Sequence, residues 1–384
     1  AAPKWAQFDA ELGYRPHDCL VRDGVDGALT VYRYEASGAR RRVAYAEAPC
    51  RINTYGNSFT QCHQVSDGET WQEYLAAHLG EPLRNFGVGG YGVYQAYRRL
   101  VREEQTAAGA SHVVLNIWRD DHVRSLYAWM WLHSTTWRGV LAEGALGARV
   151  SMFHATPWAH LRLDPDTGAF AERENPYPTP ESLYRLCDPD HVYERFRGDV
   201  DVQLAAAQRG APDVDRALLR RVADALGEPA PAAAFAAAEA TAATARRLLQ
   251  ACGLRASAYV VERARAFAAA HGKRLLLLLS YLESDITAAV RGAPRFDEAF
   301  VRVLAQTGVP VVDSLQMHVE DYAAYRCSPG EYAARLFVGH YNPRGNHFFA
   351  FAIKDAVVAW LEPKPPAYDR QAGAPLRRLA GTLA

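Results

Sequence analysis

Four short stretches of this 384-residue chain carry side chains whose types and spacing suit acyl chemistry. Ile52-Asn53-Thr54-Tyr55-Gly56-Asn57-Ser58 reads as a short strand, a glycine turn and the start of a helix, so the Ser58 hydroxyl stands where the chain must turn sharply. Its own N–H would point out of the helix N-terminus toward a developing anion. Taken alone, such a serine serves as an N-cap. Asn85-Phe86-Gly87-Val88-Gly89-Gly90-Tyr91-Gly92 offers backbone N–H groups that approach a substrate oxygen without an intervening side chain. Val113 to Asp121 ends an apolar strand in the polar run Trp118-Arg119-Asp120-Asp121. His340-Tyr341-Asn342-Pro343-Arg344-Gly345 precedes a helical pattern and offers a general base; on its own, His340 would be a turn histidine serving backbone carbonyls.

The elements needed to position these groups are those of a parallel sheet. Ile52–Tyr55, Leu83–Phe86 and His112–Trp118 read as strands, with helical spacing over Glu69–Leu79 and Val93–Ala107 between them, a β-α-β-α-β pattern. The alternation resumes with a helix over Ala256–His271, a strand over Lys273–Tyr281, a helix over Phe296–Thr307, a strand over Val309–Asp313 and a closing helix over Gly345–Leu361. Residues 1–50 hold alternating stretches, Leu29–Tyr34 and Arg42–Tyr45, that read as antiparallel strands. The division expected is a β-rich extension over 1–50, core over 51–122, a mostly helical, aromatic-rich insertion over 123–254 whose Ala-rich stretch Pro229–Ala251 should be helical, core again over 255–362, and a strap over 363–384. No internal repeat is evident.

Composition excludes several classes. Lysine plus arginine equal aspartate plus glutamate at 43 each, so no diffuse field favours nucleic acid. The longest strongly apolar run, Leu275–Leu279, falls far short of the roughly 18 residues of a membrane span. Six cysteines lie without a CxxC pair. The Ala-Ala-Pro start suits cleavage after a signal peptide as well as a trimmed chain, and the export reading makes Cys19 with Cys50 the first disulfide to test. His122, His133, His154 and His160 lack metal-ligand spacing, so no metal is expected. Gly87-Val88-Gly89-Gly90 lacks a phosphate-loop pattern, and no cofactor is expected.

In order and context, the four stretches resemble the SGNH (GDSL-like) hydrolase family, over residues 50–122 and 255–361. The resemblance implies a three-layer α/β/α sandwich with a parallel, flavodoxin-like sheet. It implies Ser58 as nucleophile, the N–H groups of Ser58 and Gly90 as oxyanion donors, and His340, rather than His347, as base. Two departures from the family pattern bear on mechanism. The serine block reads Gly-Asn-Ser where the family has Gly-Asp-Ser. Asp120 stands where the family has an oxyanion-donating asparagine, and would serve only if protonated in a dry site. Otherwise Asn116 or Arg119 provides the third donor, or the two backbone N–H groups suffice. The family's aspartate shortly before the histidine is absent as well, Val338 and Phe337 taking its place. The site is then a Ser-His dyad, or draws a carboxylate from Asp120, Asp121 or Asp285.

The aromatic run Trp118, Tyr127, Trp129, Trp131, Trp137 and Trp158 is expected to rise over the serine, with Asp121 beside it, or to form the insertion's own core. The expected activity is removal of an acetyl or other short acyl group from a carbohydrate or other small ester through an acyl-serine. The alternatives are an altered, non-catalytic binding protein on the same fold, and an acyltransferase or lyase using the same pocket.

Overall fold

The computed structural model of the protein describes residues 6–119, 121–133, 156–228 and 230–369. Its centre is a five-stranded, all-parallel sheet of β1 (Ile52–Tyr55), β2 (Arg84–Asn85), β3 (His112–Trp118), β4 (Arg274–Ser280) and β5 (Val311–Asp313). The strand order is β2-β1-β3-β4-β5, with Tyr55 opposite Leu115 and Asn116 opposite Leu278. Every residue of β1 and β3 is buried, as is β4 beyond Arg274, which is why these strands read as nearly unbroken apolar runs. From β1 the chain moves outward to β2, then returns to the other side of β1 with β3. The gap between the C-terminal ends of β1 and β3 is therefore the switch point at which open α/β sheets hold ligands.

The helices form two sets. Val93–Glu103 (α3) packs against the long helix Ala238–Ala270 (α4), while Pro343–Trp360 (α6) packs against both Trp71–Leu79 (α2) and Ser314–Tyr322 (α5). That grouping, with a sheet buried on both faces, is compatible with three α/β/α layers. Local chemistry fixes the ends. Thr70 accepts from the Glu73 N–H at the start of α2, Gly80 closes it in the left-handed conformation, and Asn342 caps α6 ahead of Pro343.

Several elements differ from the sequence reading. Arg42–Tyr45 is not a strand; the N–H groups of Val43 and Ala44 donate to the Glu73 carboxylate, so the backbone is satisfied without a sheet partner. The strand expected over Leu83–Phe86 shortens to two residues. The helices expected over Pro229–Ala251 and from Ala256 are one helix of 33 residues, Ala238–Ala270, so the 254/255 boundary falls inside it. It passes close to Asp121–Arg124: a Cβ on Gly253 would stand 2.9 Å from the Val123 nitrogen, so this approach requires glycine. The interval between β3 and β4 also contains an antiparallel hairpin, His160–Leu163 with Phe170–Arg173, besides its helices. Residues 1–50 do form hairpins, Ala6–Asp9 with Gly13–Pro16 and Cys19–Arg22 with Leu29–Tyr32. All six cysteines are unbridged. The expected Cys19–Cys50 pair does not form, since the Cys50 thiol is turned to the carbonyls of Ile52 and Pro82. Among the described residues no helix is long and apolar enough to cross a membrane.

Candidate active site

Ser58 opens the four-residue helix Ser58–Gln61 (α1), directly after β1 and the Gly56 turn. A Cβ at Gly56 would lie 2.7 Å from the Asn116 carbonyl oxygen and closer still to Thr60, so only glycine lets the chain leave the sheet here. Asn57 is the N-cap, and its Oδ1 accepts from the Phe59 N–H at 2.8 Å. Its Nδ2 donates to Asp121 Oδ1 at 2.9 Å, and Asp121 Oδ2 accepts from the Trp118 N–H at 3.1 Å. A fully buried carboxylate at the end of β3 thus ties down the turn that carries the serine. Asparagine at position 57 supplies the donor that this carboxylate needs, which an aspartate there could not.

His340 arrives from the other half of the core, just before α6. Its Nε2 lies 2.8 Å from Ser58 Oγ, and its Nδ1 and its backbone N–H each lie 2.9 Å from Gln64 Oε1. The ring rests against Phe59, with centroids 4.9 Å apart, and Phe59 in turn stacks on Trp118 at 4.8 Å. Loss of water around the ring, with a smaller push from the Arg124 guanidinium, brings the His340 pKa down to about 4. At neutral pH the imidazole is uncharged and its lone pair is free to accept a proton. Ser58 itself is only 8 % exposed, and His340 is half-buried.

The glycine stretch is laced to the serine turn by the bonds Val88 N–H to Gly56 O (3.0 Å) and Gly89 N–H to Gln61 Oε1 (2.6 Å). Among the described residues, neither the Ser58 N–H nor the Gly90 N–H is taken by another group.

The other residues singled out from sequence fall into different places. Asn116 is inside the core, donating to Thr60 Oγ1 and accepting from Ser280 Oγ, so its amide supports the turn rather than an oxyanion. Arg119 is ion-paired with Asp285 and lies over the Phe296 ring. Asp285 also accepts the Leu282 N–H at the start of its own helix, Glu283–Val290. The structure does not bring Asp285 to the imidazole, whose Nδ1 faces Gln64 instead. Asp121 is a tie for the serine turn, with Arg124 as a further partner at 3.4 Å. Asp120 lies outside the described residues, as do Trp137 and His154. His347, the competing base, packs edge-on against Tyr74 on the side of α2.

The aromatic run does not form one canopy. Trp158 is buried with Tyr14 and Tyr91, its indole N–H donating to the Tyr127 carbonyl. Trp129 and Trp131 line a separate cavity of 590 Å³ with Phe196 and Val192. Sequence reasoning passed over Gln64, Arg124 and His63. The His63 ring stands 5.2 Å from that of His340 and borders a cavity of 220 Å³, lined also by Cys19, Val21, Tyr32 and Tyr34. No residue-type pattern marks Gln64, which meets His340 across 276 positions of chain. A scan against protein-family models and a search of curated proteins each found no match to this chain.

Proposed function

We propose that the protein is a serine esterase of the SGNH type, acting through a covalent acyl-serine. The observation that carries this reading is the 2.8 Å contact between Ser58 Oγ and the uncharged His340 Nε2 at the sheet's switch point. In the first step Ser58 Oγ bonds to the ester carbonyl carbon and its proton passes to His340 Nε2. The carbonyl oxygen, now negative, is met by the N–H groups of Ser58 and Gly90. As the carbon–alkoxy bond breaks, His340 Nε2 returns the proton to the leaving alcohol. Water then repeats the sequence on the acyl-serine, with His340 again taking and returning the proton, and a carboxylic acid is released.

A short acyl group, acetyl first, on a carbohydrate or other small alcohol is the substrate class this reading favours. Hydrolysis of p-nitrophenyl esters and of acetylated sugars, followed by acid release, tests both parts. Expected are turnover of acetate over octanoate and a loss of at least about 10³-fold in Ser58→Ala. Undiminished turnover in Ser58→Ala would remove the serine from the chemistry, and preference for octanoate would remove the short-acyl assignment.

A further inference from the structure

We infer that Gln64, held by the hairpin of Cys19–Arg22 and Leu29–Tyr32, is the positioning residue that sets the His340 tautomer, so that a neutral amide occupies the place behind the imidazole where serine hydrolases hold a carboxylate. The inference rests on the esterase reading for its consequence, but its geometry stands independently. A glutamine amide presents one acceptor end and one donor end, and which end faces a neighbour is decided by the bonds it makes. Here the His340 backbone N–H, which can only donate, points at one end of the Gln64 amide from 2.9 Å. That end must be the oxygen. The other end, 3.1 Å from the Asp23 carbonyl oxygen, must then be the NH₂ group, and the two requirements agree.

The same oxygen lies 2.9 Å from His340 Nδ1. An acceptor at that distance requires a proton on Nδ1. In an uncharged imidazole this leaves the lone pair on Nε2, facing Ser58 Oγ, which is the tautomer that general-base catalysis needs. The amide orients the ring and fixes its tautomer without supplying negative charge.

Gln64 is itself held against its intrinsic preference. It sits at φ 70°, a left-handed conformation uncommon for a residue with a side chain. Its N–H donates to the Tyr32 hydroxyl at 2.7 Å, and that hydroxyl donates to the Asp23 carboxylate at 2.9 Å. Arg40, buried to 2 % exposure, spans the same loop from beneath by donating to the carbonyls of Gln61, Cys62 and Val65 and pairing with Asp67. Residues 1–50 therefore enter the catalytic geometry through Asp23, Tyr32 and Arg40. Among the described residues, the charged and titratable groups around the ring are Arg124 from the segment after β3, His63 from the loop after α1, and Tyr32 and Asp23 behind Gln64; Asp121 faces Arg124.

The test is the pH dependence of ester turnover in the full chain for the unaltered protein, Gln64→Ala, Gln64→Glu, Tyr32→Phe and His340→Ala. Gln64→Ala is expected to lower kcat about 10²-fold with KM little changed. Gln64→Glu puts a carboxylate against Nδ1 and is expected to move the acid limb of the profile upward by about 1–3 pH units. Tyr32→Phe is expected to act in the direction of Gln64→Ala, more weakly. Full activity in Gln64→Ala together with an unmoved limb in Gln64→Glu would overturn the inference. Full activity in His340→Ala would instead overturn the esterase reading and leave the tautomer question standing. That question has its own readout, ¹⁵N-histidine NMR of the unaltered protein, with His340 assigned by its loss in His340→Ala. A proton on Nδ1 is expected, and a proton on Nε2 alone would overturn the inference even if the Gln64 variants do not fold.

Discussion

Removing water from around an imidazole makes its charged form costly, and at His340 the neighbouring guanidinium of Arg124 adds to the cost. The pKa is lowered from an ordinary 6.5 to about 4, so the base is uncharged over the whole range from weakly acid to neutral pH. The acid limb of kcat/KM is accordingly expected near pH 4, with activity at pH 5.5 close to that at pH 7. A limb near 6.5 would show that His340 is open to water in solution. Ser58 and His340 were legible in the sequence because glycine before a strand-end serine, and a histidine before a capped helix, leave local marks. Gln64 was not, since its role depends on a left-handed backbone and on a hairpin that presses it toward a distant loop. Asp285 and Arg119 carried suitable chemistry at the correct edge of the sheet, and were drawn to each other by opposite charge.

Among the elements, the joint between α1 and the end of β3 decides whether the serine stays in place. It is tied by the Asn116 amide on Thr60 Oγ1 and by the Asn57 amide on the buried Asp121 carboxylate, and the second is the pair that brings a charge into the dry site. Asn57→Asp would set two carboxylates at that distance in a dry site, where one must take up a proton at neutral pH. The expected loss is about 1–4 kcal/mol at pH 7, shrinking below pH 5, as read by urea unfolding. Asp121→Asn in the same chain restores a donor opposite an acceptor and should recover most of that loss. A double variant no better than Asn57→Asp would contradict this account of the joint. The strands themselves were readable to within a few residues where both faces are buried, β3 at its full His112–Trp118. Arg42–Tyr45 misled because alternation is only half of a strand; here the Glu73 carboxylate competes for the same N–H groups. Both halves of α4 were legible, the first from its alanines and the second from its spacing, but not that they run on as one helix, whose contact with Asp121–Arg124 goes through Gly253.

Across the described residues, four histidines, three of them buried and His340 half-buried, have surroundings that favour the uncharged ring. His112, His160 and His340 are lowered to about 4 and His318 to about 3, desolvation being the largest cause in each. His318 is clasped between the hydroxyls of Tyr332 and Tyr341. Between pH 6.5 and 4 the unfolded chain binds protons at these positions that the folded chain refuses, so stability rises with pH and falls as the solution is acidified. Asp199, raised to about 6 by burial and by Asp201, works in the opposite sense, as do Glu11 and Glu73, both raised by burial, but these three carboxyls are fewer than the four rings. The urea midpoint is expected to fall steadily from pH 7 to pH 4.5, and a flat or rising midpoint would show that these rings are hydrated. At this scale the sequence disclosed a parallel α/β core interrupted once. It did not disclose that the N-terminal hairpin reaches the loop behind the histidine, because the bonds involved, from Arg40, Tyr32 and Asp23, follow no periodicity.

The central claim is that Ser58 is activated by His340. Intact-mass spectrometry after exposure to an aryl fluorophosphonate tests it most directly, because the reagent bonds only to an activated hydroxyl and needs no knowledge of the ester. One adduct on the unaltered protein, absent from Ser58→Ala and from His340→Ala, is the expected result. No adduct on folded, unaltered protein, or an adduct that persists in Ser58→Ala, would contradict it.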